Sequence, residues 1–163
     1  MTLLRSSSPV RLAVACVLSA VLAALAVWPQ LSARLTGETY DLAVAPVDPI
    51  DPFRGAYVAL GYPGLEPARP TSWSEGPTPV FVPLRQEPSG LWTGGRAVRE
   101  APAAGPYLRC DASQLRLRCG IDSLFAPQDE ALRLERDLAD GAVARVRVDR
   151  WGHAAVVGLR PGA

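Results

Sequence analysis

From Leu12 to Trp28 the chain reads LAVACVLSAVLAALAVW, 17 residues without a charge, with Arg5 and Arg11 ahead of them. At 1.5 Å per residue such a run makes a helix of about 26 Å, just short of a hydrocarbon core of about 30 Å. Val10 and a snorkelling Arg11 can supply the missing length. Trp28 falls where an interfacial aromatic belongs, and Pro29 is expected to end the helix. No polar stripe marks an outer face, which argues against the core helix of a soluble domain. Two readings stay open: a retained signal anchor, and a signal peptide cleaved near Ala26, where Ala24 to Ala26 form a small-x-small site. Cys16 follows Ala-Val-Ala, but too little apolar sequence precedes it for a lipoprotein site. Either way the remainder is expected to leave the cytoplasm. Two arginines before the run, against Arg34 alone close behind it, favour an inside N-terminus. The expected organisation is a short cytoplasmic N-terminus (1–11), a transmembrane signal anchor (12–29) and one extracytoplasmic domain (30–163).

Chemistry in the exported part is limited by what it lacks. Of 17 basic residues two precede the apolar run, so 15 arginines face 16 acids beyond it. That balance carries no basic nucleic-acid footprint, and nucleic acid is not an expected partner. The chain has no lysine, so a serine–lysine dyad is excluded. His153 is the single histidine, and any serine–histidine or cysteine–histidine pair must use it. His and Cys clusters with zinc spacing are missing. No catalytic residue, metal ligand or cofactor site is assigned, and His153 is expected to be a surface residue at the start of the last strand.

Cys110 and Cys119 bracket DASQLRLR. In an exported domain such a pair reads first as a disulfide. A hairpin turning at Gln114 and Leu115 sets the two opposite one another, as a cross-strand bridge requires. Two free thiols on one sheet face are the alternative.

Strand alternation recurs along the exported chain. It is read in ETYDLAVAPVD (Tyr40, Leu42 and Val44 inward), in AYVALGY, in VFVPLR, in QLRLRCGI and in AVARVRVDRWGHAAVVGL, a hairpin with DRWG as its turn. Pro83 is expected to push its strand to a sheet edge. Pro-, Gly- and Ser-rich segments around Trp73 and Trp92 read as loops, with a strand fragment at Leu91 to Thr93 at most. Trp73 and Trp92 are read either as exposed interaction anchors or as caps on the small core. QDEALRLERDLADG carries acids in its first turn and Gly141 just past its end, and reads as the single short helix of the domain. Arg116, Arg118, Arg145 and Arg147 form a basic stripe if their strands are neighbours. The expected class is mainly β: a small antiparallel β-rich domain with one short helix, behind an N-terminal transmembrane helix.

The stretch DPIDPFRGAYVALGY, residues 48–62, is the densest run of unusual residues. Asp48 and Asp51 each precede proline, which biases them to extended backbone, and their carboxylates suit turn hydrogen bonds. Gly55 permits close backbone approach, and Arg54 can fork onto a carboxylate. Tyr57 and Tyr62 are an odd five residues apart, so one faces the core and the other the opposite side. The stretch resembles the signature of the bacterial membrane-anchored family named after its GDYxxLxY motif. Pro46, Asp48, Pro49, Asp51, Arg54, Gly55, Tyr57, Leu60 and Tyr62 match. Ile50 stands where the family commonly has arginine, and Ala56 replaces the aspartate of the motif's second letter. VFVPL, CGIDSLFAPQDEALRLE and the last hairpin echo the family's order of elements. The resemblance implies a single-pass protein of the bacterial cytoplasmic membrane, periplasmic or otherwise extracytoplasmic in its C-terminal part, with an integral-membrane partner and no characterised activity. The expected role is therefore a non-enzymatic accessory or interaction domain, with the signature structural. Two alternatives remain: an envelope enzyme using Asp48 and Asp51 as a carboxylate pair, and a secreted binding protein released by cleavage near Ala26.

Overall fold

A computed structural model describes residues 9–46, 57–68, 78–113, 116–125 and 141–162. The chain begins with α1 (Pro9–Thr36) and continues into β1 (Glu38–Pro46), β2 (Tyr57–Gly61), a 3₁₀ turn (Pro63–Ala68), β3 (Thr78–Gln86) and β4 (Trp92–Gly94). β5 (Tyr107–Ser113), β6 (Arg116–Arg118), β7 (Ser123–Phe125), β8 (Ala142–Val148) and β9 (Ala154–Pro161) complete it. The expected mainly β class holds. The helix expected over 128–140 lies outside the described residues.

β1 is the hub, because both of its edges are occupied. On one side it pairs antiparallel with β8 from Glu38↔Val148 to Val44↔Ala142. On the other it meets β4 in parallel at Leu42↔Trp92 and β2 antiparallel at Ala45↔Gly61. The sheet continues from β4 through β3 and β5 to β6, and from β2 to β7. β8 also pairs β9, with a bulge at Val157 between Arg145↔Gly158 and Val146↔Val156. Alternation puts Tyr40, Leu42 and Val44 of β1 and Ala144, Val146 and Val148 of β8 into one core with Leu60, Tyr62, Val82 and Leu108.

The sheet curls until β5 reaches the β8–β9 turn. Arg109 N–H donates to Gly152 O at 2.8 Å, and the Tyr107 hydroxyl donates to Arg150 O at 3.1 Å. Gly152 has φ 79°, and a Cβ there would stand 2.7 Å from the Tyr107 ring and 2.8 Å from Arg109 N. This closure therefore needs glycine on both conformational and steric grounds.

Several expectations are corrected. α1 does not end at Pro29 but runs two turns further, to Thr36. Proline forfeits one intrahelical bond, and contacts of residues 30–36 with the β domain offset that loss. β3 is not an edge strand, since it pairs β5 over Thr78–Pro83 and β4 over Leu84–Gln86. Leu84 N–H points to β5 (Pro106 O, 2.9 Å) and Phe81 N–H to the other side (Val98 O, 2.8 Å). Pro79 and Pro83 share the parity of Phe81, so their missing N–H groups cost the β5 ladder nothing. Ser123–Phe125, for which no strand is expected, is a strand pairing β2. The arginine stripe does not form, because β6 and β8 are not neighbours. Arg145 and Arg160 instead face Asp41, at 3.7 Å and 3.0 Å.

Candidate functional site

The polar constellation that stands out among the described residues is the joint between α1 and the β8–β9 hairpin. Its centre is Asp149, 5% exposed, which directly follows β8 and opens the turn. Its Oδ1 accepts the N–H groups of Trp151 (2.9 Å) and His153 (3.0 Å), which closes the turn on itself. Its Oδ2 accepts the Ser32 hydroxyl at 2.6 Å and faces His153 Nδ1 at 3.0 Å. Burial on its own would push this carboxyl up. The bonds from Ser32, His153 and the two N–H groups outweigh burial and hold it below its ordinary value. An ionised carboxylate only accepts, so Nδ1 of His153 carries a proton.

A second clamp lies one turn further along the helix. The Arg147 guanidinium donates through Nε (2.9 Å) and Nη2 (2.7 Å) to Gly37 O, and through Nη1 to Arg34 O. A cation on the terminal carbonyls caps the helix and opposes its dipole. Gly37 N–H returns to Ala33 O at 3.0 Å. A Cβ on Gly37 would sit 2.4 Å from Ala33 O and 2.9 Å from the Val148 backbone, so the passage from helix to β1 has room only for glycine. Gln30 Nε2 adds contacts at 3.3 Å to Gly120 O and Ala154 O. Ala33 and Ala155 are fully buried where helix and hairpin meet.

Ser32, Asp149 and His153 have the residue types of a hydrolytic triad but not its wiring. In such a triad histidine sits between serine and carboxylate and takes the serine proton. Here the carboxylate is in the middle, and its depressed pKa makes it a poor base toward a hydroxyl. What the arrangement does chemically is lock a helix to a hairpin. His153 is accordingly half-buried and bonded to Asp149, not the surface residue expected. Ser32 and Asp149 were not singled out in the sequence; they are 117 residues apart, and no local pattern joins them.

Beside the joint an open groove of about 350 Å³ is lined by Thr36, Glu38, Tyr40, Tyr107, Val148 and Arg150 among others. The Tyr40 hydroxyl donates to Glu38 Oε2 at 2.9 Å. Burial first, and then the Glu38 bond and charge, push this phenol up to about 12, so it stays neutral.

The signature is only partly within the described residues. Asp48, Pro49, Asp51, Arg54 and Gly55 lie outside them, as does Trp73; Pro46 and Tyr57 are placed in β1 and β2 by their backbone. Leu60 and Tyr62 are buried in the core. Tyr62 donates to Ile121 O at 2.9 Å and Leu60 N–H to Asp122 O at 2.9 Å, tying β2 to the segment before β7. Burial first, then the Asp122 charge, raises the Tyr62 phenol. Cys110 and Cys119 form a disulfide, in the hairpin register expected, with Asp111 opposite Arg118. Trp92 is half-buried, its ring meeting Tyr40 edge-on at 4.9 Å, and so packs on the core instead of standing free.

Comparison with known proteins places these features in a family. Its model, that of the GDYXXLXY protein, matches residues 19–159, from within α1 to near the end of β9. No curated protein and no solved structure matches the chain. The match takes in the signature residues and both halves of the helix–hairpin joint; the chain belongs to the GDYXXLXY family.

Proposed function

We propose that this chain is a single-pass protein of the bacterial cytoplasmic membrane. It carries its β domain on the extracytoplasmic side as a non-enzymatic accessory module for an integral-membrane partner. The observation that carries the reading is the joint. α1 is long and apolar enough to cross a membrane, and its most apolar window is wholly unburied by the domain. The same helix is fastened to that domain by Asp149 and Arg147. The fastened residues follow Ala26 and keep their contacts with or without cleavage; where α1 is retained, they hold the domain at a fixed height against the apolar run. Two further features support the reading. The Cys110–Cys119 bridge suits an oxidising compartment. Leu60 and Tyr62 of the signature are packed into the core.

The test is crosslinking in intact membranes followed by recovery of a C-terminally tagged full-length chain, in parallel with Trp73→Ala. The expected result is one integral-membrane protein in defined yield, reduced by a substitution that leaves the thermal transition unchanged. Recovery of the chain alone would remove the partner. Recovery from the soluble fraction would remove the anchor as well.

A further inference from the structure

The turn that closes the β8–β9 hairpin presents two side chains that the joint does not use. Trp151 is 40% exposed, and the Arg150 guanidinium lies 4.1 Å from the centre of its ring. This exposure is built into a stiff turn. Asp149 N–H bonds His153 O and Gly152 N–H bonds Asp149 O, both at 3.0 Å. The carbonyls of Arg150 and Gly152 are held by Tyr107 and Arg109 of β5. With the turn backbone fastened on both sides, the Cα of Trp151 is held in place in the turn, and only side-chain rotation moves the indole.

The position of the turn follows from what β8 touches. Arg147 reaches the helix at Arg34 and Gly37, and Asp149 reaches it at Ser32. β8 therefore runs along α1 toward its apolar end, and Arg150 and Trp151 follow Asp149 in the turn. Ser32 stands four residues after Trp28, about 6 Å along a helix axis. Trp28, 55% exposed, closes the apolar run. The turn that carries Trp151 thus opens, at Asp149, against the helical turn that follows Trp28, where the apolar surface of α1 gives way to the polar joint.

We propose that this turn is a second membrane contact, with Trp151 in the headgroup–acyl boundary and Arg150 on lipid phosphate. The inference rests on the anchor reading above. Indole has an apolar body and one N–H donor, which suits the interface better than either water or hydrocarbon. Guanidinium pairs phosphate through forked, charge-assisted bonds while its flat face stays on the indole. The bilayer is the occupant because the helix fastened to the turn is itself the bilayer-sized apolar element. The consequence is a two-point attachment that fixes the tilt of the domain as well as its height.

The test uses the full-length chain in phosphatidylcholine vesicles, with and without bromine atoms high on the acyl chains, and reads tryptophan emission. W151F retains Trp28 as the helix reporter. W28F retains Trp151, and W28F/W151F supplies the background from the other tryptophans. The expected result is loss of emission in brominated vesicles for W28F, absent from W28F/W151F, together with quenching of W151F. Quenching of W151F, with W28F no different from the double variant, would put the helix in the bilayer and the turn away from it, overturning the proposal alone. Absence of quenching in W151F would show that the helix is not inserted, and both readings would fall together.

Discussion

Asp149 shows how much one buried carboxylate can organise. Its two oxygens take two backbone N–H groups, a serine hydroxyl and an imidazole N–H, and each donor offsets part of the cost of burying the charge. Because its folded pKa lies below the ordinary carboxylate value of 3.8, its contribution is complete above that value. The contribution is lost as pH falls through the lower folded value. Asp149→Asn keeps the shape but sets an amide against one pair of donors. It should cost about 2–3 kcal/mol at neutral pH, by analogy with bonds to charged groups. Denaturant melts of both proteins across pH 3–7 read this. The gap should be constant from about pH 5 upward and narrow below about pH 4; a gap that does not change with acid would show that the charge is immaterial. Little of this was legible beforehand. DRWG marks a turn and an aspartate suits its first position, but the value of Asp149 comes from Ser32, and sequence pattern carries no information across that separation. The alternation that put Leu60 and Tyr62 on one face of β2 was legible, because a strand has period two whatever it pairs with.

Among the elements, α1 departs most from local expectation. Its apolar length could be counted, but its end could not, because proline is a local signal and the contacts that carry the helix past Pro29 are not. Residues 30–36 are helical because Gln30, Ser32 and Ala33 meet β8 and β9, and because Arg147 takes the last carbonyls. Gly37→Ala should therefore disturb this end selectively. The new methyl must displace Ala33 O or the Val148 backbone, an overpacking cost of about 1–3 kcal/mol. Hydrogen exchange should accelerate over residues 30–37 and the first residues of β1, while β3 and β5 keep their protection. Uniform acceleration would mean that the joint is not a separable unit. The β5–β6 hairpin is the opposite case, with its register readable from the cysteine spacing. Cys110→Ser paired with Cys119→Ser should lower stability by about 2–3 kcal/mol, the loop-entropy value for a short closed loop, measured as a shift in denaturant midpoint.

At the scale of the whole molecule the strands could be found but not their partners. Hairpins such as β5–β6 and β8–β9 join neighbours in sequence, and follow from the cysteine spacing in the first and from turn residues in the second. The pairing of β1 with β8 and its parallel contact with β4 join distant segments, and both are settled by which apolar faces close one core. That closure sets the geometry of the joint. It brings the hairpin turn to the end of the apolar helix, leaves the arginines of β6 and β8 apart, and spends Tyr62 and Leu60 on packing. The central claim is that helix and β domain stay one chain at the membrane. Cleavage near Ala26 would spare residues 30–36 and their contacts, so stability measurements alone do not decide it. The direct measurement is the intact mass of the tagged chain recovered from membranes after an alkaline wash. Retention of α1 predicts the full-length mass in the washed pellet; a chain beginning near Val27, found in the wash, would contradict it.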